Sequence, residues 1–193
     1  MSKEPRPMEP SFKIVPCLNS SSSQVITVED NSLILIVKLD NMDFGKVIKQ
    51  FDELFLCQDL TSQKLKLSES GSQVLLRLRR VRNSYALVVN VGNNDVFSCR
   101  TIIEVTKTAL SVAMQKKCRR LIIPILPNRM TSSCLNLKGT AVLIAKSTKE
   151  FMSQPDCVNR DLEIVFWSTS QAKVNLLKGL EIVSNSLSCH DFH

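Results

Sequence analysis

Few residues of this 193-residue chain have the types and spacing that covalent catalysis requires. A Ser–His or Cys–His pair needs a histidine in the folded body, and the two histidines, His190 and His193, stand at the end of the chain. Carboxylate pairs such as Asp52 with Glu53 are available, but a pair on a helix surface is normally solvated. The sequence therefore predicts a protein that is not an enzyme.

The seven cysteines are scattered along the chain, and no two of them form a C-x-x-C pair. In a reducing compartment such residues usually act as small buried hydrophobes. Metal binding by Cys189, His190 and His193 is the alternative, although a loose polar tail explains these residues better. We therefore predict neither a metal site nor a cofactor.

A formal net charge of +7 favours an anionic partner if the cations share one face. They form two clusters next to apolar segments: Arg77, Arg79, Arg80 and Arg82, then Lys116, Lys117, Arg119 and Arg120. One hypothesis is a basic module that binds nucleic acid, and the alternative is solvated strand ends and a cationic helix C-terminus. Because aromatic residues make up only 5% of the chain, bases have few stacking partners, and nucleic acid is not the favoured partner.

The turn at residues 92–95, ahead of a predicted helix, is a second candidate anion site. Free backbone N–H groups and the helix dipole would point at a ligand there. The alternative is an ordinary helix start with Asn94 or Asp95 as N-cap. The sequence contains neither a P-loop nor a G-x-G-x-x-G fingerprint, which excludes the two commonest phosphate-binding motifs.

These candidates are positioned by a central unit at residues 84–127, which is predicted to fold as strand, helix and strand. Residues 84–91 and 121–126 are continuous apolar runs, and residues 96–117 carry apolar side chains at helical spacing. Two strands that are apolar on both faces, joined by an amphipathic helix, indicate a right-handed βαβ unit with parallel strands inside a sheet.

Further strands and helices alternate on both sides of this unit. Strands are predicted at residues 24–28, 32–37, 73–81 and 162–167, with a short edge strand around 12–15, and helices at about 44–57, 135–152 and 170–187. This order predicts an α/β protein, a three-layer α/β/α sandwich with a mixed, largely parallel sheet. The domain is expected at residues 24–187, between a flexible leader at 1–23 and a polar tail at 188–193.

No apolar run approaches the ~18 residues that cross a bilayer, and no apolar signal-peptide core follows the N-terminus. We therefore expect an intracellular protein, cytoplasmic or nuclear. A membrane is not an expected partner.

The order of these elements resembles the macro domain. In that family a strand ending in a Val-Gly turn precedes a helix, and a strand with apolar-apolar-Pro-apolar sequence precedes a glycine-rich loop. Here Val88-Val-Asn-Val-Gly92 and Leu121-Ile-Ile-Pro-Ile-Leu126 occupy these places, and the resemblance spans about residues 24–187. It implies a macro-like fold, and family members bind ADP-ribose or hydrolyse ADP-ribosyl linkages. The pattern is also similar to the N-terminal domain of leucine aminopeptidases, which is macro-like and carries no catalysis.

The resemblance implies a ligand site of five residues. Asp30 matches the family's adenine-contacting Asp, Asn41 is what remains of its Asn-Ala-Ala-Asn motif, and Gly45 is what remains of its glycine run. Gly92 keeps the Val-Gly turn. The second glycine-rich loop has no glycine here, so Arg129 would replace backbone contacts to phosphate with a charge, and an exposed loop arginine is the alternative.

The sequence thus favours a non-enzymatic, macro-like binding or scaffold module that acts through protein contacts. The alternative is a macro domain that binds ADP-ribose or a nucleotide in a remodelled site. A further alternative is the basic nucleic-acid-binding module. A protein partner is expected in the first case, and an anionic ligand in the other two.

Overall fold

The computed structural model describes residues 10–16, 28–38, 70–79, 81–92, 98–124, 136–157 and 161–188. Its elements are β1 (Ser11–Pro16), β2 (Ser32–Lys38), β3 (Gln73–Arg77), β4 (Tyr85–Asn90), α1 (Cys99–Gln115), β5 (Arg120–Ile123), α2 (Leu137–Met152), a 3-10 turn (Pro155–Cys157), β6 (Glu163–Ser168) and α3 (Ser170–Ser188). Within these ranges no helix is long and apolar enough to cross a membrane.

The six strands form one mixed sheet in the order β1-β6-β5-β2-β4-β3. All neighbours are parallel except β3 and β4, which are antiparallel. Because the other five strands run in one direction, they all end at one edge, here called the carboxyl edge, and all begin at the other, the amino edge. The predicted α/β architecture with a mixed, largely parallel sheet is confirmed.

The predicted central unit is present as β4, α1 and β5, but its two strands are not neighbours. β2 lies between them, with Leu33 paired to Tyr85 of β4 and to Leu121 of β5. All three strands are apolar on both faces, so the hydrophobic pattern is equally compatible with several strand orders. Only the hydrogen bonds between strands decide the order that forms.

Two strands are shorter than the apolar runs predict. β5 ends at Ile123 because the next residue, Pro124, has no N–H to donate to a ladder. β3 ends at Arg77, where the chain turns back and the N–H of Leu78 donates to the carbonyl of Ser84 at 2.9 Å.

β1 lies within the segment predicted as a leader at residues 1–23. Ser11–Pro16 pairs in parallel with β6, from Ser11 opposite Glu163 to Pro16 opposite Ser168. Phe12 and Ile14 pack against the core on the helix side of the sheet. The short edge strand expected around residues 12–15 is therefore part of the fold, because burying two large apolar side chains and a parallel ladder outweighs the proline-rich composition around it.

Both faces of the sheet are buried. Leu33, Leu35, Leu87 and Val89 face one core, and Ile34, Ile36, Ala86 and Val88 face the other, all of them at most 7% exposed. α1 packs on β2 and β5, α3 packs on β1 and β6, and α2 packs between α1 and α3. The helix predicted at about 44–57 and residues 24–27 of the strand predicted at 24–28 lie outside the described residues. Val28 is described, is not in a strand, and packs against the second core.

Candidate functional site

The carboxyl edge is organised by the turn that follows β4. The N–H of Val91 donates to the carbonyl of Lys38 at 2.9 Å, which joins the ends of β4 and β2. Gly92 has φ +85°, a left-handed conformation that favours glycine, and its N–H donates to Oδ1 of Asn90 at 3.0 Å. The predicted Val-Gly turn therefore forms, and the side chain of Asn90 holds it.

Asn90 is the residue of this edge that sequence reasoning missed. It is fully buried, its N–H donates to the carbonyl of Ser72 at 2.9 Å, and its carbonyl accepts from the N–H of Gly71 at 2.7 Å. These two bonds pair its backbone, and the side-chain Oδ1 accepts from the N–H of Gly92. Such partners are needed because an unsatisfied polar group in a core is costly. The signal was a single amide within the apolar run at residues 86–91.

Two of the five predicted ligand residues, Asp30 and Gly92, lie in the described part of the chain, and the structure places them at opposite edges of the sheet. Asp30 precedes β2 at the amino edge, where its carboxylate accepts from the N–H of Arg82 at 2.9 Å and from its Nε at 3.2 Å. Gly92 lies at the carboxyl edge, roughly 20 Å away along strands that rise about 3.3 Å per residue. Asn41, Gly45 and Arg129 lie outside the described residues, so the ligand role of this set stays a prediction.

The start of α1 differs from the prediction. The helix begins at Cys99 rather than near residue 96, and its N-cap is Ser98 instead of Asn94 or Asp95. The N–H of Thr101 donates to Oγ of Ser98 and the N–H of Ser98 donates to Oγ1 of Thr101, both at 3.3 Å. This capping box already satisfies one donor of the first turn, which weakens the helix start as an anion site.

The amino edge brings the two basic clusters together. Asn31, with φ +61°, lies between them: its N–H donates to the carbonyl of Arg82 at 2.9 Å, and its carbonyl accepts from the N–H of Arg119 at 2.7 Å. The carboxylates of the same edge neutralise part of the charge. They belong to Glu29, Asp30, Asp161 and Glu163.

Arg120 is the most strongly paired cation of this edge. Its Nε donates to Oε2 of Glu163 at 2.7 Å, and the guanidinium also pairs with Glu29. The hydrogen bond to Glu163 raises the pKa of Arg120, and the bond to Glu29 adds to this shift against the opposing effect of burial. Arg82 is paired with Asp30, so two members of the predicted basic patch are engaged in ion pairs within the protein.

Four other cations of the patch are exposed to solvent. Within the described part of the chain, Arg77, Arg79, Lys117 and Arg119 are exposed and form no ion pair. Lys116 places its Nζ 5.5 Å from the centroid of the Tyr85 ring. Arg80 lies outside the described residues.

Two clefts open beside these ion pairs. One, of about 400 Å³, lies at the amino edge between Ser11, Asn31, Arg119 and Asp161. The other, of about 340 Å³, runs from this edge along the face of β1, β5 and β6, with Lys13 and Trp167 in its wall. Both include Arg120 with its two ion-paired glutamates, Glu29 and Glu163.

The described cysteines divide by position. Cys118 and Cys157 are buried, as predicted, whereas Cys99 is exposed at the first position of α1. Burial raises the pKa of the Cys118 thiol to about 11, although the charge of Lys116 acts in the opposite direction. Cys118 therefore behaves as a small hydrophobe. No group of three His, Cys, Asp or Glu residues in the described part of the chain could hold a metal ion.

Comparison with known proteins identifies the fold. A scan of protein-family models finds no match, and neither does a search of curated proteins. Among solved structures, the macro domain of ganglioside induced differentiation associated protein 2 superimposes with a TM-score of 0.60 at 13% identity, covering 87% of this chain and 82% of that one.

The Trypanosoma brucei macrodomain in complex with ADP superimposes with a TM-score of 0.55 at 12% identity, over 77% of this chain and 62% of that one. Its complex with ADP-ribose gives a TM-score of 0.54 at 12% identity, over 79% and 64%. This chain thus matches less than two thirds of the length of the Trypanosoma brucei protein. The likeness concerns architecture rather than sequence, and by its architecture this chain has a divergent macrodomain fold.

Proposed function

We propose that this chain is a non-enzymatic binding module with its ligand site at the carboxyl edge. The observation that carries the proposal is the chemistry of the strand ends. The described residues that end the central strands or follow them, Lys38, Asn90, Gly92, Ser168 and Thr169, include no histidine, cysteine or carboxylate. Such groups bind through charge and hydrogen bonds, whereas acid–base and nucleophilic catalysis need a titrating partner.

The rest of the chain supports the same conclusion. The sequence has no histidine before His190. The carboxylates of Asp30 and Glu163 are paired with arginines at the amino edge. Open α/β sheets hold their ligands at the opposite, carboxyl edge. An acid–base pair would have to come from other parts of the chain.

For the carboxyl edge we propose a ligand that contains a nucleoside diphosphate, such as ADP-ribose. The solved Trypanosoma brucei macrodomain with this architecture was crystallised with ADP and with ADP-ribose. In this chain Lys38, half-buried at the end of β2, supplies a cation at the edge, and the left-handed Gly92 lets the backbone come close to a ligand.

Calorimetric titration with ADP-ribose tests this proposal. We expect a Kd tighter than about 100 μM, and about tenfold weaker binding, on the order of 1.4 kcal/mol, for Lys38→Gln. Lys13→Gln removes a lysine from the edge strand β1 and should leave the Kd unchanged. Equal losses in both variants would point to net charge alone, and release of ADP-ribose from a modified protein above the buffer rate would contradict a non-enzymatic module.

A protein scaffold is the second candidate, and the outer face of α3 favours it. Val174, Leu177 and Ile182 are 54%, 41% and 42% exposed, and they are the large exposed hydrophobics of the described residues. Large apolar side chains exposed on one helix are candidates for a protein contact. If a second copy of the chain is the partner, sedimentation should show concentration-dependent association that Leu177→Lys abolishes. A monomer at every concentration would count against it.

A further inference from the structure

The amino edge carries cations that the proposed function does not use. Arg77 and Arg79 lie at the end of β3, Lys117 follows α1, and Arg119 precedes β5. These four residues, which we call the cationic row, are exposed and form no ion pair within the described ranges. From β3 to β5 the sheet spans three strand spacings, or about 15 Å.

The backbone of the cationic row is held in place. Asn31 accepts from the N–H of Arg119 at 2.7 Å and donates to the carbonyl of Arg82 at 2.9 Å, so the loop before β5 and the hairpin that carries Arg79 are tied to the same residue. Lys117 sits in the turn that closes α1, where its own N–H donates to the carbonyl of Met114 at 3.1 Å. The backbone positions from which these side chains extend are therefore fixed before any ligand binds.

Neighbouring side chains extend the positive surface on the helix side of the sheet. Arg77 is the cross-strand partner of Tyr85, and Lys116 places its Nζ over the same ring. The face of Tyr85 is therefore already covered by a cation and is not a stacking platform for a base. Contacts from this surface would go to phosphates rather than to bases.

The character of the row favours a nucleic acid over an acidic protein. Protein interfaces have an apolar or aromatic centre. The large exposed hydrophobics in the described ranges all lie on α3, which packs at the β1 and β6 end of the sheet, away from the row. Binding of a phosphate backbone needs only positioned cations, and three of the four are arginines, whose planar fork suits phosphate oxygens.

We propose that the cationic row is a second binding site, which takes the phosphodiester backbone of a nucleic acid without reading its sequence. The site uses Arg77, Arg79, Lys117 and Arg119 and is independent of the carboxyl edge. Four phosphate contacts predict a slope of about −2.8 for the logarithm of the association constant against the logarithm of salt concentration on a single strand.

Fluorescence anisotropy with the whole chain tests the site, using a labelled ~15-nucleotide oligouridine and a duplex of the same length as probes. We expect affinity for the single strand to fall about 50-fold between roughly 50 and 200 mM salt. The variant with Arg77, Arg79, Lys117 and Arg119 all changed to Gln should lose at least about tenfold in affinity and most of the salt dependence. The two probes show which nucleic acid is preferred.

A matched variant separates the row from net charge. Lys138, Lys146, Lys173 and Lys178 are exposed on α2 and α3, and changing these four to Gln removes the same charge from another surface. We expect their loss to weaken binding less than about twofold, with both variants retaining the thermal unfolding of the parent. Equal losses in both variants, no binding to either probe, or binding of polyglutamate in place of the oligonucleotides would each overturn the proposal.

Discussion

At the scale of single residues, position rather than residue type decides what a side chain can do. Cys118 and Cys99 are both free thiols near an end of α1. Cys118 is buried after the helix, where burial raises the pKa of its thiol to about 11, whereas Cys99 is exposed at the helix start. Their chemistry should therefore differ even though no sequence motif distinguishes them.

We expect iodoacetamide to modify Cys99 much faster than Cys118 in the folded protein. The reactive species is the thiolate, and at mildly alkaline pH Cys118 remains protonated and covered. Mass spectrometry of the two peptides measures the rates, and urea-unfolded protein is the control, in which the two rates should converge. Equal rates in the folded protein would contradict the burial of Cys118.

The same shift gives a direction for stability at high pH. Because the folded-state pKa of Cys118 is raised, the unfolded state loses this proton first as the pH rises. The contribution of the thiol to stability is complete below its ordinary pKa and is lost as the pH approaches about 11. Urea denaturation at several pH values in this range measures the effect. As the pH rises, the free energy of unfolding should fall less in the Cys118→Ala variant than in the parent protein.

At the scale of elements, the contact of α2 with α3 depends on one glycine. A Cβ built on Gly179 would lie 2.6 Å from the carbonyl oxygen of Lys138 and 2.8 Å from the Cβ of Ala141. The helices can approach this closely only because Gly179 has no side chain. Gly139 in α2 is a useful contrast, since its added Cβ would meet only Oδ1 of Asn136 at 3.4 Å.

Gly179→Ala should therefore destabilise the protein, whereas Gly139→Ala should not. At position 179 the overlap with a backbone carbonyl costs about 1–3 kcal/mol and outweighs the gain in helix propensity. At position 139 the propensity gain of up to about 1 kcal/mol should appear as a small stabilisation. Urea denaturation measures both values, and a stabilising Gly179→Ala would mean that the helices can move apart at little cost.

At the scale of the whole molecule, the sheet separates two kinds of chemistry. Its carboxyl edge has a buried amide and a left-handed glycine, and its amino edge has ion pairs next to the cationic row. The parallel direction of five strands causes this separation, because every strand start lies at one edge and every strand end at the other. Two ligands could thus bind one chain without competing.

The integrity of this sheet depends on β1. Deleting residues 1–16 should lower the free energy of unfolding by several kcal/mol, because Phe12 and Ile14 leave the core and β6 becomes an open edge. Urea denaturation measures the loss, and sedimentation should show new association through the exposed strand. Unchanged stability would mean that β1 contributes little to the fold.

Hydrophobic pattern alone determined the α/β class, most strand and helix positions and the burial of both sheet faces. These features are local, because the strand and helix periodicities depend on residues that are close together in the sequence. The same pattern could not place β2 between β4 and β5, because all three strands are apolar on both faces. It also could not reveal that Pro16 and Ser168 end neighbouring strands.

Of the candidate site, the sequence by itself predicted a turn at Gly92 and the two basic clusters. Only the tertiary structure put Asp30 at the amino edge beside Arg82, buried Asn90 beneath the turn, and joined the clusters through Asn31. Each of these depends on hydrogen bonds between residues far apart in the chain. Such bonds form only after the strands have assembled, so no local pattern encodes them.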